Sequence, residues 1–225
     1  MPGHFLLLGH RGTRVSDAAA ENTLAAFDLA LQFGCDGFEF DVRRTACGRA
    51  VICHDEEIEG INVAAAACGQ LESLPCLEDV LSRYAASAFM DIELKVPGLE
   101  SDLLLALRAH PPQRGYVVSS FLPEVLLELR ARSAEVALGF ICDRKKTLER
   151  WRDLPAEYVI PKHTLITSKL VQEVHAAGKA IFTWTVNDKK AMQRLADWGV
   201  DGIISDDPQL LVKTLSGKGS AITSR

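Results

Sequence analysis

Residues 37–54 read GFEFDVRRTACGRAVICH. The first part, 37–43, is apolar and strand-like, and 50–54 (AVICH) reads as a second strand. Only Thr45-Ala46-Cys47-Gly48-Arg49 separates them. A parallel neighbour needs a crossover of about a dozen residues, so a link this short makes an antiparallel hairpin. Folding about Ala46–Cys47 is expected to set Glu39 opposite His54.

Outward from this hairpin, strand-like runs recur at 5–10, 88–95, 115–120, 136–141, 157–161, 180–186 and 201–205. Helix-period segments lie between them, as at 23–31, 124–129 and 189–198, and Gly34, Gly178 and Gly199 stand at helix ends just before strands. Repeated β–α alternation implies a parallel sheet. With the return strand set aside, the parallel strands number eight, which closes an α/β fold of the (β/α)8 TIM-barrel type. An open doubly wound sheet is the rival, but no GxGxxG turn follows the first strand. No Pro/Gly/Ser-rich linker divides the chain, so residues 1–225 are expected to form a single barrel domain, with 56–76 as a loop carrying a short helix and a frayed tail from Ser216.

Composition sets outer limits. The 225 residues are 48% hydrophobic and carry a net charge of −5, enough to fill a core and without a basic balance. Nucleic acid is therefore not expected as a partner. No apolar run approaches the roughly 18 residues of a membrane span, and no basic leader with a cleavage site precedes Phe5-Leu6-Leu7-Leu8. No stable membrane anchor is expected, and oligomeric state is left open. The cysteines at 35, 47, 53, 68, 76 and 142 include no CxxC pair and read as small thiols in a reducing cytoplasm.

In a barrel the active site forms at the C-terminal strand ends. His10 and Arg11 close the first strand, Glu39 and Asp41 share one side of the second, Glu93 and Lys95 repeat that spacing on the third, and His54-Asp55 ends the return strand. A single carboxylate in such a strand could face solvent on an edge. Glu39, Asp41 and Glu93 together would repel one another if turned inward, and a divalent cation resolves that repulsion. Oxygen-only ligation favours Mg²⁺ or Ca²⁺ over Zn²⁺. Two imidazoles beside a cation suit a base and an acid. Arg11 and Lys95 supply positive charge for an anion. This set suits phosphodiester cleavage. Of the other histidines, His4, His110 and His175 read as surface residues, and His163 is a further candidate for the mouth.

The ordered pieces Gly9-His10-Arg11-Gly12, Glu21-Asn22-Thr23, Glu39-Phe40-Asp41-Val42, His54-Asp55, Glu93-Leu94-Lys95, Ser120-Phe121, Thr183-Trp184-Thr185-Val186-Asn187 and 199–208 (GVDGIISDDP) span nearly the whole chain. In these the chain resembles the glycerophosphodiester phosphodiesterases, relatives of the phosphatidylinositol-phospholipase-C-like barrels, in their small bacterial form. The resemblance implies metal-dependent hydrolysis of a small-molecule glycerophosphodiester to glycerol 3-phosphate and an alcohol. It carries metal ligation onto Glu39, Asp41 and Glu93, acid–base roles onto His10 and His54, and substrate contacts onto Arg11, Lys95, Asn22, Phe121 and Trp184. Asn22 would start the first helix, where an N-cap amide and free N–H groups help hold an anion. After His54-Asp55 the usual Arg-Thr-Thr-rich stretch is missing, replaced by Glu56-Glu57-Ile58-Glu59-Gly60, so headgroup preference does not transfer. The alternatives are a lysophospholipase D-type phosphodiesterase, which would need an acyl-chain channel, and a non-catalytic glycerophosphodiester-binding barrel, which would usually have lost a histidine or a ligand.

Overall fold

Eight parallel strands close on themselves in a computed structural model that describes residues 5–67 and 69–216. In chain order the strands are β1 (Leu6–Gly9), β2 (Gly37–Arg44), β3 (Ala50–Ile52), β4 (Glu57–Ile58), β5 (Ile61–Asn62), β6 (Phe89–Leu94), β7 (Tyr116–Ser120), β8 (Leu138–Cys142), β9 (Tyr158–Pro161), β10 (Ala180–Thr183) and β11 (Gly202–Ser205). The helices are α1 (Leu24–Gln32), α2 (Leu77–Tyr84), α3 (Glu100–Ala109), α4 (Pro123–Arg132), α5 (Lys145–Leu148), α6 (Ser168–Ala176), α7 (Lys189–Trp198) and α8 (Pro208–Leu215). The barrel runs β1-β2-β6-β7-β8-β9-β10-β11 and returns to β1, every pairing parallel. It is the (β/α)8 TIM barrel expected from the alternation of elements.

Strand alternation divides the core. Phe38, Phe40, Met90 and Ile92 face outward into the layer shared with the helices, where Phe27 of α1 stacks on Phe38 at 4.2 Å. Leu6, Leu8, Phe89, Val117, Tyr158 and Phe182 fill the barrel interior, with Tyr158 and Phe182 packed edge-on at 4.9 Å. Polar side chains on the inward positions above this plug therefore lie on an apolar floor, where burial penalises charge.

The hairpin forms as expected, but with a different register. Val42 pairs with Ile52, Arg43 with Val51 and Arg44 with Ala50. The loop is three residues, Ala46-Cys47-Gly48, closed by Thr45 N–H donating to Arg49 O at 3.0 Å, and Gly48 supplies the positive φ of 90° that such a loop uses. Centring on Cys47 moves the pairing by one residue, so His54 is not opposite Glu39. β3 ends at Ile52, and His54 lies beyond it.

Segment 55–76 contains the small β4–β5 hairpin and a 3-10 turn, Val63–Ala65. A minor core of Val51, Cys53, Val63, Ala66 and Leu71, with Ile58 and Ile61 against it, fastens this segment to β3. Arg49 reinforces it, donating to Leu71 O at 2.9 Å and Leu74 O at 3.0 Å. Cys35, Cys53, Cys76 and Cys142 are free, as expected. Cys47 is not, being disulfide-bonded. Disulfide pairing follows separation in space rather than spacing along the chain, which is why the sequence concealed it. Among the described residues no helix is long and apolar enough to cross a membrane. His4, Cys68 and the tail beyond Ser216 lie outside the described residues.

Candidate active site

The parallel register between β2 and β6 builds the centre of the site. Glu39 is the Cα partner of Asp91, and Asp41 the partner of Glu93. All four carboxylates are buried. Glu39, Asp41 and Glu93 each offer an oxygen within 4.8 Å of the others. Lys95, two residues beyond Glu93, places Nζ 2.8 Å from Glu93 Oε1 and 3.3 Å from Asp41 Oδ1.

Electrostatics follow from this crowding. Burial, then the charges of Asp41, Glu93 and Asp91, push the Glu39 carboxyl well above its ordinary range. Burial and Asp41 raise Glu93 to about 7 against the opposing pull of Lys95. Burial raises Asp41 too, but Lys95, Arg11 and the Asn22 amide outweigh it and hold Asp41 below its ordinary value. Burial would lower Lys95, and Glu93 and Asp41 more than compensate.

A metal would find a suitable donor set here. Glu39 Oε1 is buried and accepts no hydrogen bond, and buried Asp41 Oδ1 faces the Lys95 ammonium at 3.3 Å. An orphaned oxygen in a three-carboxylate cluster that resists full ionisation fits a hard, oxygen-ligated divalent cation.

Asn22 departs from its expected place. Thr23, whose hydroxyl accepts from Ala26 N–H, is the N-cap of α1. Asn22 instead takes a left-handed backbone, φ 58°. Its Nδ2 donates to Asp41 Oδ2 at 2.8 Å and its Oδ1 accepts from Asp41 N–H at 3.3 Å. Holding Asp41 by both backbone and side chain occupies the amide, and Asn22 does not line the pocket.

The two histidines differ in their surroundings. His10, buried, has Nε2 3.8 Å from Glu39 Oε2 and Nδ1 2.6 Å from Asp206 Oδ1. Burial holds its imidazole below the ordinary value, opposed by Asp206. Burial would raise Asp206, but hydrogen bonds from His10 and Asn187 bring it to about 2. His54 is more open, with Nδ1 2.7 Å from the exposed Asp55. Arg43 fixes the His54 backbone, donating Nε–H to its carbonyl at 2.7 Å.

Arg11 also sits at φ 50°, and its N–H donates to Glu39 Oε2 at 3.0 Å. The guanidinium bridges Glu21 at 2.6 Å and Asp41 at 3.0 Å. His10, Arg11, Glu39, His54, Asp91, Glu93 and Lys95 line one pocket at the C-terminal strand ends, completed by Phe121, Ile141, Ile160, Trp184 and Ile204. Phe121 and Trp184 meet edge to face at 5.5 Å, with Lys95 Nζ 5.8 Å from the Phe121 ring centre. Trp184 is tied down by Nε1–H donating to Ile160 O at 3.0 Å.

The sequence therefore located nine of its ten candidates at or in direct contact with this pocket, with Asn22 one contact behind. His163 is not among the pocket residues. It sits in a 3-10 turn after β9, its N–H donating to Trp184 O at 2.9 Å. His175 is exposed and paired with Asp201, while His110 is half-buried at the end of α3. Asp91 and Asp206 were passed over. The inward i, i+2, i+4 series Asp91-Glu93-Lys95 was the available signal for the first. Nothing in the spacing linked Asp206 to His10, 196 residues away.

The sequence matches the glycerophosphoryl diester phosphodiesterase family over residues 10–75 and 60–210. The chain belongs to this family. Among its phosphodiesterases, the glycerophosphodiester phosphodiesterase of Caldanaerobacter subterraneus is 29% identical over 244 residues, spanning 95% of this chain and 99% of that one. An Oleispira antarctica phosphodiesterase, solved in complex with the product sn-glycerol-3-phosphate, superposes with a TM-score of 0.83 at 25% identity over 95% of this chain and 97% of that one. The Agrobacterium tumefaciens glycerophosphodiester phosphodiesterase shares the fold, with a TM-score of 0.81 at 24% identity over 95% of this chain and all of the other, 100%.

Proposed function

We propose that this protein is a glycerophosphodiester phosphodiesterase that hydrolyses small glycerophosphodiesters to glycerol 3-phosphate and an alcohol, with Mg²⁺ or Ca²⁺ and two histidines. The convergence of Glu39, Asp41 and Glu93 within 4.8 Å, with His10 and His54 in the same pocket, carries this reading. Family membership and a relative solved with sn-glycerol-3-phosphate support the substrate class.

Glu39, Asp41 and Glu93 would hold the cation, which when bound supplies Lewis-acid stabilisation of phosphate charge. Arg11 and Lys95 share that charge from the protein side. Arg11 does so with a guanidinium already oriented by Glu21 and Asp41. His10 is the base. Its Nδ1 lies 2.6 Å from Asp206 Oδ1, so Nε2 is the nitrogen left for the pocket. His54, more open and beside Asp55, is the acid that protonates the leaving alkoxide. Phe121 and Trp184 form the wall against which the organic part of the substrate packs. Asn22 acts through Asp41, not on substrate.

The test is release of glycerol 3-phosphate from glycerophosphocholine and glycerophosphoethanolamine with Mg²⁺, with Ca²⁺ and with EDTA, beside Glu93→Ala. Metal-dependent release that the substitution abolishes is expected. No release from either substrate with either metal would overturn the reading.

A further inference from the structure

The loops after β10 and β11 meet beside His10, and their contacts are unusually specific for a simple loop staple. Asp206 presents Oδ1 to His10 Nδ1 at 2.6 Å. Its other oxygen, Oδ2, accepts from Asn187 Nδ2–H at 2.6 Å. The Asn187 carbonyl oxygen accepts from Asp206 N–H and from Ser205 Oγ–H, both at 3.0 Å. Asn187 therefore grips the carboxylate at its far oxygen and at its backbone, and leaves one oxygen for the imidazole. Arg14 Nη1 lies 3.5 Å from that oxygen, and the Arg14 guanidinium is itself paired with Glu21.

We infer that Asn187 and Asp206 form a positioning clamp that decides which nitrogen of His10 faces the pocket, with Asn187 acting only through Asp206. The inference rests on the acid–base role proposed for His10. An ionised carboxylate can only accept, so the imidazole must donate from Nδ1, and the neutral ring must expose its Nε2 lone pair toward Glu39 and the pocket. Neither Asn187 nor Asp206 is needed to touch substrate for this.

The clamp makes an asymmetric prediction for Asp206→Asn. The Asn187 amide N–H still demands an acceptor, so it selects the oxygen of the new amide. The NH₂ of that amide then faces His10 Nδ1 and donates to it. The imidazole proton moves to Nε2, and the base is lost although shape and volume are nearly unchanged. Asn187→Asp removes the donor and sets a second carboxylate against Asp206, which loosens the clamp without reversing it.

The experiment reads the ring directly. In the full chain with ¹⁵N-labelled histidine, long-range ¹H–¹⁵N spectra above the imidazole pKa report the tautomer of each neutral ring, with His10 assigned by its loss in His10→Ala. The expected result is Nδ1–H for His10 in the unsubstituted protein and Nε2–H in Asp206→Asn. Glycerol 3-phosphate release by Asp206→Asn should fall about 10³–10⁴-fold in kcat, with KM changed less than threefold. Asn187→Asp should lose about 10–100-fold. An Nε2–H tautomer in the unsubstituted protein, or an unchanged tautomer in Asp206→Asn, would overturn the clamp. So would full activity in Asn187→Asp with the Asp206→Asn tautomer reversed, since Asn187 would then not act through Asp206. The tautomer is read without turnover, so an Nδ1–H ring with a fully active His10→Ala protein would refute the acid–base reading and not the clamp.

Discussion

Lys95 Nζ lies 2.8 Å from Glu93 Oε1 and 3.3 Å from Asp41 Oδ1, so one ammonium serves two of the three carboxylates that would hold a metal. Lysine moderates the repulsion in the cluster without removing it, since Glu93 stays near 7 and Glu39 well above its ordinary range. Both carboxyls must release a proton before they ligate a cation. Metal affinity is therefore expected to weaken as pH falls below 7, by about tenfold per unit for each proton displaced. Calorimetric Mg²⁺ or Ca²⁺ titrations at pH 6, 7 and 8 measure this. An affinity that does not vary over that range would refute linkage between the cluster and the metal.

Asp91, two residues before Glu93 on β6, is not one of the three carboxylates that converge. It accepts from Ser119 Oγ–H at 2.5 Å, and burial raises it to about 7, opposed by Ser119 and aided by Glu93 and Asp41. A carboxyl whose folded pKa exceeds its unfolded value stabilises the fold at low pH. That contribution is lost as pH rises from about 4 to about 7, and the shift sets its upper size near 4 kcal/mol. Asp91→Asn keeps an acceptor for Ser119 and cannot ionise. Metal-free Asp91→Asn should therefore melt at the same temperature as the parent at pH 4.5 and several degrees above it at pH 8. Equal melting at pH 8 would show that Asp91 carries no ionisation cost.

His10→Ala and His54→Ala separate chemistry from folding. General acid–base catalysis contributes about 10²–10⁴-fold, and each substitution should remove at least that much turnover. His54 is half-exposed, so its loss should leave the melting temperature nearly unchanged. His10 is buried and hydrogen-bonded, and its loss should cost about 1 kcal/mol or more. Near-normal rates in both proteins would refute the assignment.

The legible parts of this molecule were those written in local periodicity. The alternation in Phe38-Glu39-Phe40-Asp41-Val42 fixed which side chains enter the barrel, and the same alternation places Glu93 and Lys95 beside them. Register was harder, because a two-residue and a three-residue turn about Cys47 differ by one position and only the hydrogen bond between Thr45 and Arg49 decides between them. Asn22 was misplaced because an Asn before a helix usually caps it, whereas here the adjacent Thr23 does so and frees the amide for Asp41. The contact of Asp206 with His10 is made across the closed fold, and no local pattern encodes it.

Gly9 provides a prediction about how the turn at residues 10–12 is seated. It ends β1 immediately before His10, and a Cβ there would stand 2.0 Å from Gly12 O and 2.9 Å from Ala30 Cβ. The obstacle is backbone, so the 10–12 turn must move, carrying His10 and Arg11 with it. Gly9→Ala should cost about 1–3 kcal/mol through overpacking and should lower turnover by more than its stability loss explains. Gly178 offers the contrast. Nothing lies within 4 Å of its Cβ position, and its only demand is a φ of 74° after α6. Gly178→Ala should cost about 1–2 kcal/mol for the left-handed backbone and leave kcat intact. Thermal melting and kcat measured on both proteins, at a temperature where both are folded, separate the two effects. Equal kcat in Gly9→Ala and the parent would mean that the turn relaxes without displacing His10.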